Sequence, residues 1–314
     1  MADHFMFETI PFEIGMLTNL ETLDLSRNLL TSLLPDSLGS LAWLLSFRLS
    51  ENFLKGAIKS INDYGYPALS DSLVELDLSS NYFDGTLPRE IWILSNLEIF
   101  NVSSNALMGA IPFRRSPDNH LATLDLSYNI FKGTILSDFG HLMSLTSLDL
   151  SSNDLDGPTS WELFSSMTML KSLDLSDFNK IQATFPTQIM NLTNLENLNY
   201  LSSNSIFGSI SPELALLTNL KRLDLSTNSI SGEIMLSLTM MPNLAYLDLY
   251  ANLFTSLPSE IGLMTNIEYL DLGFNQFNGA LPTEFGLMTN IEYLHLQFNS
   301  FAGSIPTEIG RLTA

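Results

Sequence analysis

The 314-residue chain contains no cysteine, which excludes thiol chemistry and disulfide bracing. Basic residues are scarce: 13 lysines and arginines stand against 34 aspartates and glutamates, for a formal charge of −21. The few cations are scattered, so nothing here would neutralise a phosphate backbone, and nucleic acid is excluded as a partner. No apolar run approaches the roughly 18 residues that span a bilayer. The opening Met-Ala-Asp-His-Phe-Met-Phe-Glu lacks the basic start and long apolar centre of a signal peptide. His4, His120, His141 and His295 are too dispersed to form a metal pair. The phosphate-binding Gly-x-x-x-x-Gly-Lys, the Gly-x-Ser-x-Gly elbow and the kinase signatures are all missing. The expectation is a chain that is no enzyme and takes no metal or cofactor.

What is present is a repeat. Leu-x-x-Leu-x-Leu-x-x-Asn-x-Leu occurs twelve times, first at Leu20, Leu23, Leu25, Asn28 and Leu30, last at Ile291, Leu294, Leu296, Asn299 and Phe301. Successive copies start 23 to 25 residues apart, with one interval of 29. A period this regular predicts a solenoid whose units bury their apolar faces only against neighbours. The expected organisation is therefore one array over 1–314, with a truncated half-repeat at 1–19 and twelve repeats over 20–314.

Within a copy, Leu124 and Leu126 alternate with Asp125 and Ser127, the period-two pattern of a strand with one buried face. The ninth position is asparagine in every copy: Asn28, Asn52, Asn81, Asn105, Asn129, Asn153, Asn179, Asn204, Asn228, Asn252, Asn275 and Asn299. Where the chain turns away from the strand, backbone groups lose their ladder partners. An amide offers donors and an acceptor to bridge consecutive turns, so these residues are expected to form a structural ladder. A glycine commonly follows four residues later. A proline then recurs at 35, 88, 112, 186, 258, 282 and 306, suited to the first residue of a short helical turn.

The segments Leu107-Met-Gly-Ala-Ile-Pro112 and Phe301-Ala-Gly-Ser-Ile-Pro306 carry a family resemblance. The chain resembles a plant-type leucine-rich-repeat protein, and in particular the ectodomains of receptor-like kinases and receptor-like proteins. The resemblance spans residues 5–314. It implies an α/β fold, a curved right-handed horseshoe with a parallel sheet on the concave face and short helical turns and loops on the convex side. It also implies a plasma-membrane, extracellular-side location and a role in signal transduction. The family's ectodomains usually carry cysteine pairs in terminal caps, and this chain has none. A complete chain without cysteines, signal or span would instead point to the cytoplasm. The chain starts and stops in mid-repeat, so either it belongs to a longer array or Phe5, Met6 and Phe7 fold over the first strand as a cap. Uncapped parallel edges would also invite end-to-end self-association.

Departures from the period are short. The second copy carries extra residues between Lys59 and Ser72, including Tyr64 and Tyr66. The fourth replaces its helical turn with Phe113-Arg114-Arg115. The seventh inserts a residue near Asp177-Phe178, and the eighth has one residue too many at Leu198-Asn-Tyr-Leu201, which predicts a bulge. Surface drift accounts for each.

Function is expected on the outward strand positions. Asp125, Asp149, Asp174, Asp224, Asp248 and Asp271 form an acidic row. The row either captures a basic peptide or cation, or is simply the Leu-Asp-Leu of the repeat; both disfavour an acidic ligand. The last three repeats add Tyr246, Tyr250, Tyr269, Phe274, Tyr293, His295 and Phe298, the residue types that dominate interfaces. Against binding, Gly-Leu-Met-Thr-Asn-Ile-Glu-Tyr-Leu recurs identically at 262–270 and 286–294, so a duplication could have copied Tyr269 to Tyr293. Asn101-Val-Ser and Asn191-Leu-Thr are candidate N-glycosylation acceptors, at the frequency expected by chance. The leading expectation is a non-catalytic module that binds a protein or peptide, basic or neutral rather than acidic, on the concave face. A stand-alone intracellular scaffold and a secreted inhibitor of a cell-wall hydrolase are the alternatives.

Overall fold

A computed structural model describes residues 5–58, 72–116, 119–158, 160–177, 181–199 and 204–312. Asn179, His4, Tyr64, Tyr66, Phe178 and the bulge expected at Leu201 lie outside the described residues. The chain divides into two compact units, Met1–Leu163 and Phe164–Ala314.

Each unit is built from one short strand per repeat, stacked in parallel register. In the first, Leu23, Phe47, Leu76, Phe100, Leu124 and Leu148 pair rung on rung. In the second, Leu173, Leu198, Leu223, Leu247, Leu270 and Leu294 do the same. The first five of the latter are fully buried. Alternation leaves their neighbours on the opposite face of the sheet, toward solvent. The strand is three residues long, and its third residue, which faces outward, closes a local turn. Oδ1 of Asp125, Asp149, Asp224 and Asp248 accepts the N–H two residues on, at 2.9–3.0 Å. That local turn competes with further ladder pairing. The Leu-Asp-Leu-Ser consensus therefore has a backbone reason.

The asparagine amides join repeats. Asn52 donates to Leu25 O of the preceding repeat at 2.9 Å and to Leu49 O of its own at 3.0 Å, and its Oδ1 accepts the N–H of Leu30 at 3.0 Å. Asn252 repeats the pattern with Leu225 O, Leu249 O and the N–H of Ile230. Both amides are about 5% exposed. A second, exposed asparagine row lies just before the first apolar residue of five consecutive repeats in the second unit. Asn194, Asn219, Asn243, Asn266 and Asn290 each donate to a carbonyl of the previous repeat at 2.7–2.9 Å. Sequence reasoning overlooked this row, although Asn-Leu or Asn-Ile at that spacing was its signal.

The return path holds two surprises. Beyond the asparagine, the chain forms further parallel strands, such as Phe53–Ala57 beside Tyr82–Thr86 and Ser229–Glu233 beside Leu253–Ser256. Glycines in the left-handed region, Gly232 at φ +97°, let these strands turn away. The prolines are the second difference. Pro35, Pro88, Pro186, Pro258, Pro282 and Pro306 sit one residue before the short 3₁₀ turns, in extended backbone, rather than as their first residue. A φ near −70° serves extended and helical backbone alike, and the proline carbonyl still accepts the turn's first bond, as Pro258 O does from Ile261 at 3.1 Å.

In the fourth repeat Phe113 substitutes for the missing turn. Its ring lies 5.4 Å from Trp92 and 5.2 Å from Phe139, closing the core where the helix is lost. At the amino end Phe7–Glu8 pairs with Leu29–Leu30 in the return sheet. Phe5, Met6 and Phe7 stay 45–69% exposed, so they do not cover the first strand as a cap. Backbone pairing to the return sheet holds them at its edge instead.

Adjacent short turns approach closely where glycine permits. A Cβ on Gly262 would lie 2.5 Å from the carbonyl oxygen of Glu284. Gly262→Ala should therefore destabilise the second unit by about 1–3 kcal/mol. Asn252→Ala should cost about 1–3 kcal/mol, because it orphans the buried Ile230 N–H and leaves the Leu225 carbonyl with only its own repeat's Asn228 as amide donor. Urea unfolding of each variant checks both values.

Candidate functional site

Three consecutive strands of the second unit, Tyr246–Asp248, Tyr269–Asp271 and Tyr293–His295, place the predicted aromatics in two columns. Register aligns Tyr246, Tyr269 and Tyr293 in one column and Asp248, Asp271 and His295 in the next. Tyr246 and Tyr269 stack with centroids 4.2 Å apart and planes 6° from parallel. Tyr293 continues the column at 5.8 Å, and His295 meets Tyr269 edge-on at 5.7 Å.

The second column begins at Tyr250, which meets Phe274 edge-on at 5.1 Å. Phe298 packs on Phe274 at 4.0 Å. Phe274, Tyr293 and Phe298 remain 43%, 55% and 69% exposed. Phe274 and Phe298 also hold left-handed backbone, at φ +50° and +55°. Other repeats hold the same position left-handed with Arg27, Glu51, Ser80, Tyr128, Thr227 or Ala251, so this backbone belongs to the repeat. A left-handed L-residue costs roughly 1–2 kcal/mol, and a bulky one there is uncommon. The predicted patch residues thus come together as two ring clusters, Tyr246, Tyr269, Tyr293 and His295 on the strands, and Tyr250, Phe274 and Phe298 just beyond them.

Arg222 completes the site and was not foreseen. Its guanidinium carbon lies 3.5 Å from the Tyr246 centroid, and its Nε donates to Asn199 Oδ1 at 2.9 Å. The ring column thus starts with a cation resting on an aromatic face. Its signal was positional: Arg222 occupies in its strand the place that Tyr246 occupies in the next.

Beyond Arg222, residues 223–310 contain neither lysine nor arginine. The carboxylates beneath the rings are consequently poorly compensated. Burial first, then neighbouring Asp224 and Asp271, pushes Asp248 up to about 6, against the hydrogen bond from the Tyr250 N–H. Burial followed by Asp248 raises the Tyr246 and Tyr269 hydroxyls. Asp271 is paired to His295 Nδ1 at 2.9 Å. Burial likewise raises Asp174, lower in the same unit. Asp125 and Asp149 are register neighbours in the first unit.

The candidate glycosylation asparagines differ in setting. Asn101 is half-buried on the strand face, with its Oδ1 accepting from the Ser103 N–H and hydroxyl at 2.9 and 2.8 Å. Asn191 is exposed at the end of the turn Thr187–Asn191. Among the described residues, no group of three or more His, Asp or Glu is placed to hold a metal ion, and no helix is long and apolar enough to cross a membrane.

Comparison with known proteins agrees with this architecture. Family models described as leucine rich repeat match residues 242–301, four segments at 19–41, 72–94, 120–142 and 219–241, and 141–158. Receptor-like protein 39 of Arabidopsis thaliana is 32% identical over 131 residues, covering 35% of this chain and 15% of that protein. Receptor-like protein 35 of the same plant is 36% identical over 105 residues, covering 33% and 10%. The chain thus spans only a small part of the curated relatives it matches. Among solved structures, a TDR receptor superposes with a TM-score of 0.85 at 29% identity, covering 98% of this chain and 52% of that one. The Arabidopsis receptor kinase HAESA, in complex with the peptide hormone IDA and the co-receptor SERK1, gives 0.75 at 30% identity, covering 98% and 58%. The chain belongs to the leucine-rich-repeat proteins. Within that class it is similar to receptor-like proteins and to plant receptor ectodomains.

The elevated Asp248 carboxyl sets a pH dependence. Its folded form holds a proton more tightly than the unfolded chain between about pH 4 and 6, so its contribution to stability falls as pH rises through that window. Asp248→Asn keeps the acceptor for Tyr250 and removes the charge. Its melting temperature should exceed the parent's at pH 7.5 and converge on it near pH 4, as calorimetry at the two pH values would show.

Proposed function

We propose that this chain is a non-catalytic recognition module, the ligand-sensing part of a receptor-like signalling protein. Its protein or peptide ligand lies across the strand face of the second unit. The observation that carries this reading is the pair of ring rows, half-buried at Tyr246, Tyr250 and Tyr269 and exposed at Phe274, Tyr293 and Phe298. Aromatic side chains held in rows by a rigid sheet offer large contact area at little cost in side-chain entropy. Tyr246 and Tyr250 stand outside the duplicated nonapeptide, so copying does not explain the columns.

The ligand is basic or neutral. The face offers carboxylates at 224, 248 and 271 and only one cation, Arg222, already engaged with Tyr246 and Asn199. A ligand arginine or lysine beyond that point meets rings and carboxylates together. The peptide-hormone complex of HAESA supports a peptide as the partner.

Peptides selected from a random displayed library on the intact chain provide the test. Enriched sequences should be basic or neutral, and Tyr269→Ala with Phe274→Ala should weaken them by roughly thirtyfold, the loss expected from about 2 kcal/mol at a hot spot. Peptides that bind the double variant unchanged, with its melting temperature intact, would sink the proposal.

A further inference from the structure

The short turns of the second unit carry a surface that the strand face does not use. Residues three apart on a 3₁₀ turn lie on one side of it. Glu213 and Leu216 share a side of the turn Pro212–Leu216, Glu260 and Leu263 of Ser259–Leu263, and Glu284 and Leu287 of Thr283–Leu287. Met240, at the end of the intervening helix Leu236–Thr239, fills the same place. Leu216, Met240, Leu263 and Leu287 are 58%, 64%, 54% and 49% exposed.

Single exposed apolar residues are ordinary, but a row on four consecutive repeats is not. The turn itself does not demand it, since Ser40 and His141 occupy the equivalent place in the first unit. Duplication of 262–270 into 286–294 accounts for Leu263 and Leu287, and leaves Leu216 and Met240 unexplained. The rows also interlock. Gly262 abuts the backbone of Glu284, and Gly286 that of Glu308, so the apolar end of one turn meets the acidic start of the next. Glu213, Glu260 and Glu284 accept hydrogen bonds from Ser211, Ser259 and Thr283 of their own turns.

We propose that this outer row is a docking surface for a basic amphipathic α-helix of a partner protein, lying across the four turns. Charge complementarity selects that occupant. No lysine or arginine lies between 223 and 310, so the carboxylates beside the apolar row await cations from outside. A second copy of this chain, at −21, or an anionic membrane would bring more charge of the same sign. A helix places an apolar side chain about every 5.4 Å along one face, close to the roughly 4.8 Å at which stacked strands deliver successive repeats. Long basic side chains on either flank then reach the carboxylates, and methionine suits such a surface because it repacks readily.

The test uses the full chain and a synthetic leucine–lysine peptide of about 18 residues, patterned for one apolar helix face. The control has the same composition, shuffled so that no apolar face forms. Fluorescence anisotropy should show the patterned peptide binding about tenfold or more tighter than the shuffled one. Leu263→Ser with Leu287→Ser should erase that preference, and Glu260→Gln with Glu284→Gln should weaken binding and flatten its salt dependence. Tyr269→Ala with Phe274→Ala on the strand face should leave the patterned peptide bound as before, which separates this surface from the ligand face. Equal binding of both peptides, wild-type affinity in the outer-row variants, or loss confined to the strand-face variant would each overturn the proposal.

Discussion

The amide that bridges one repeat to the next is the interaction on which the architecture depends. Between the strand and its return, carbonyls such as Leu25 O and Leu225 O accept from the asparagine of their own repeat and from that of the next. Asparagine is short enough to fit inside the bend and carries donors and acceptor on one planar group. Glutamine would be too long, and aspartate could not donate. Because one amide serves two repeats, each repeat is complete only beside its neighbour. The leucine core follows from this, since the bridge sets the height at which successive leucines meet.

The same economy shapes the functional face. Aspartate at the third strand position closes a local turn by accepting from the N–H two residues on. An acidic row is therefore a by-product of that turn in most repeats, and ligand capture need not be invoked for it. The second unit departs from the rule where aromatic rings close over the carboxylates. Tyr246 and Tyr269 pack beside Asp248, and the lack of lysine and arginine over 223–310 leaves it uncompensated. Local packing has turned a structural carboxylate into a group that titrates in mildly acid solution.

The strand face was legible in advance because burial repeats at a fixed spacing. Leu247, Leu270 and their kin could be placed from the period alone, and so could the columns Tyr246, Tyr269 and Tyr293. The return strands were not legible: Ser229–Glu233 alternates small polar residues with isoleucine and glycine, a pattern shared by loops. Proline at 258 was put one residue too late, because its dihedral fits both positions. Arg222 was missed because its meaning lies across the sheet, on a ring 24 residues away. The carboxyl of Asp248 depends on neighbours from three strands, which no single repeat encodes.

The two asparagine rows of the second unit carry a mechanical consequence. One joins repeats just beyond the strand and the other just before it, as at Asn252 and Asn243. A pull along the chain would load both together, along with the short strand between them, and release them as a set. Extension of a unit should therefore proceed by whole repeats, each freeing about 24 residues, or roughly 80 Å of contour. Tension would register on such a protein as counted steps, so its length under load would take discrete values.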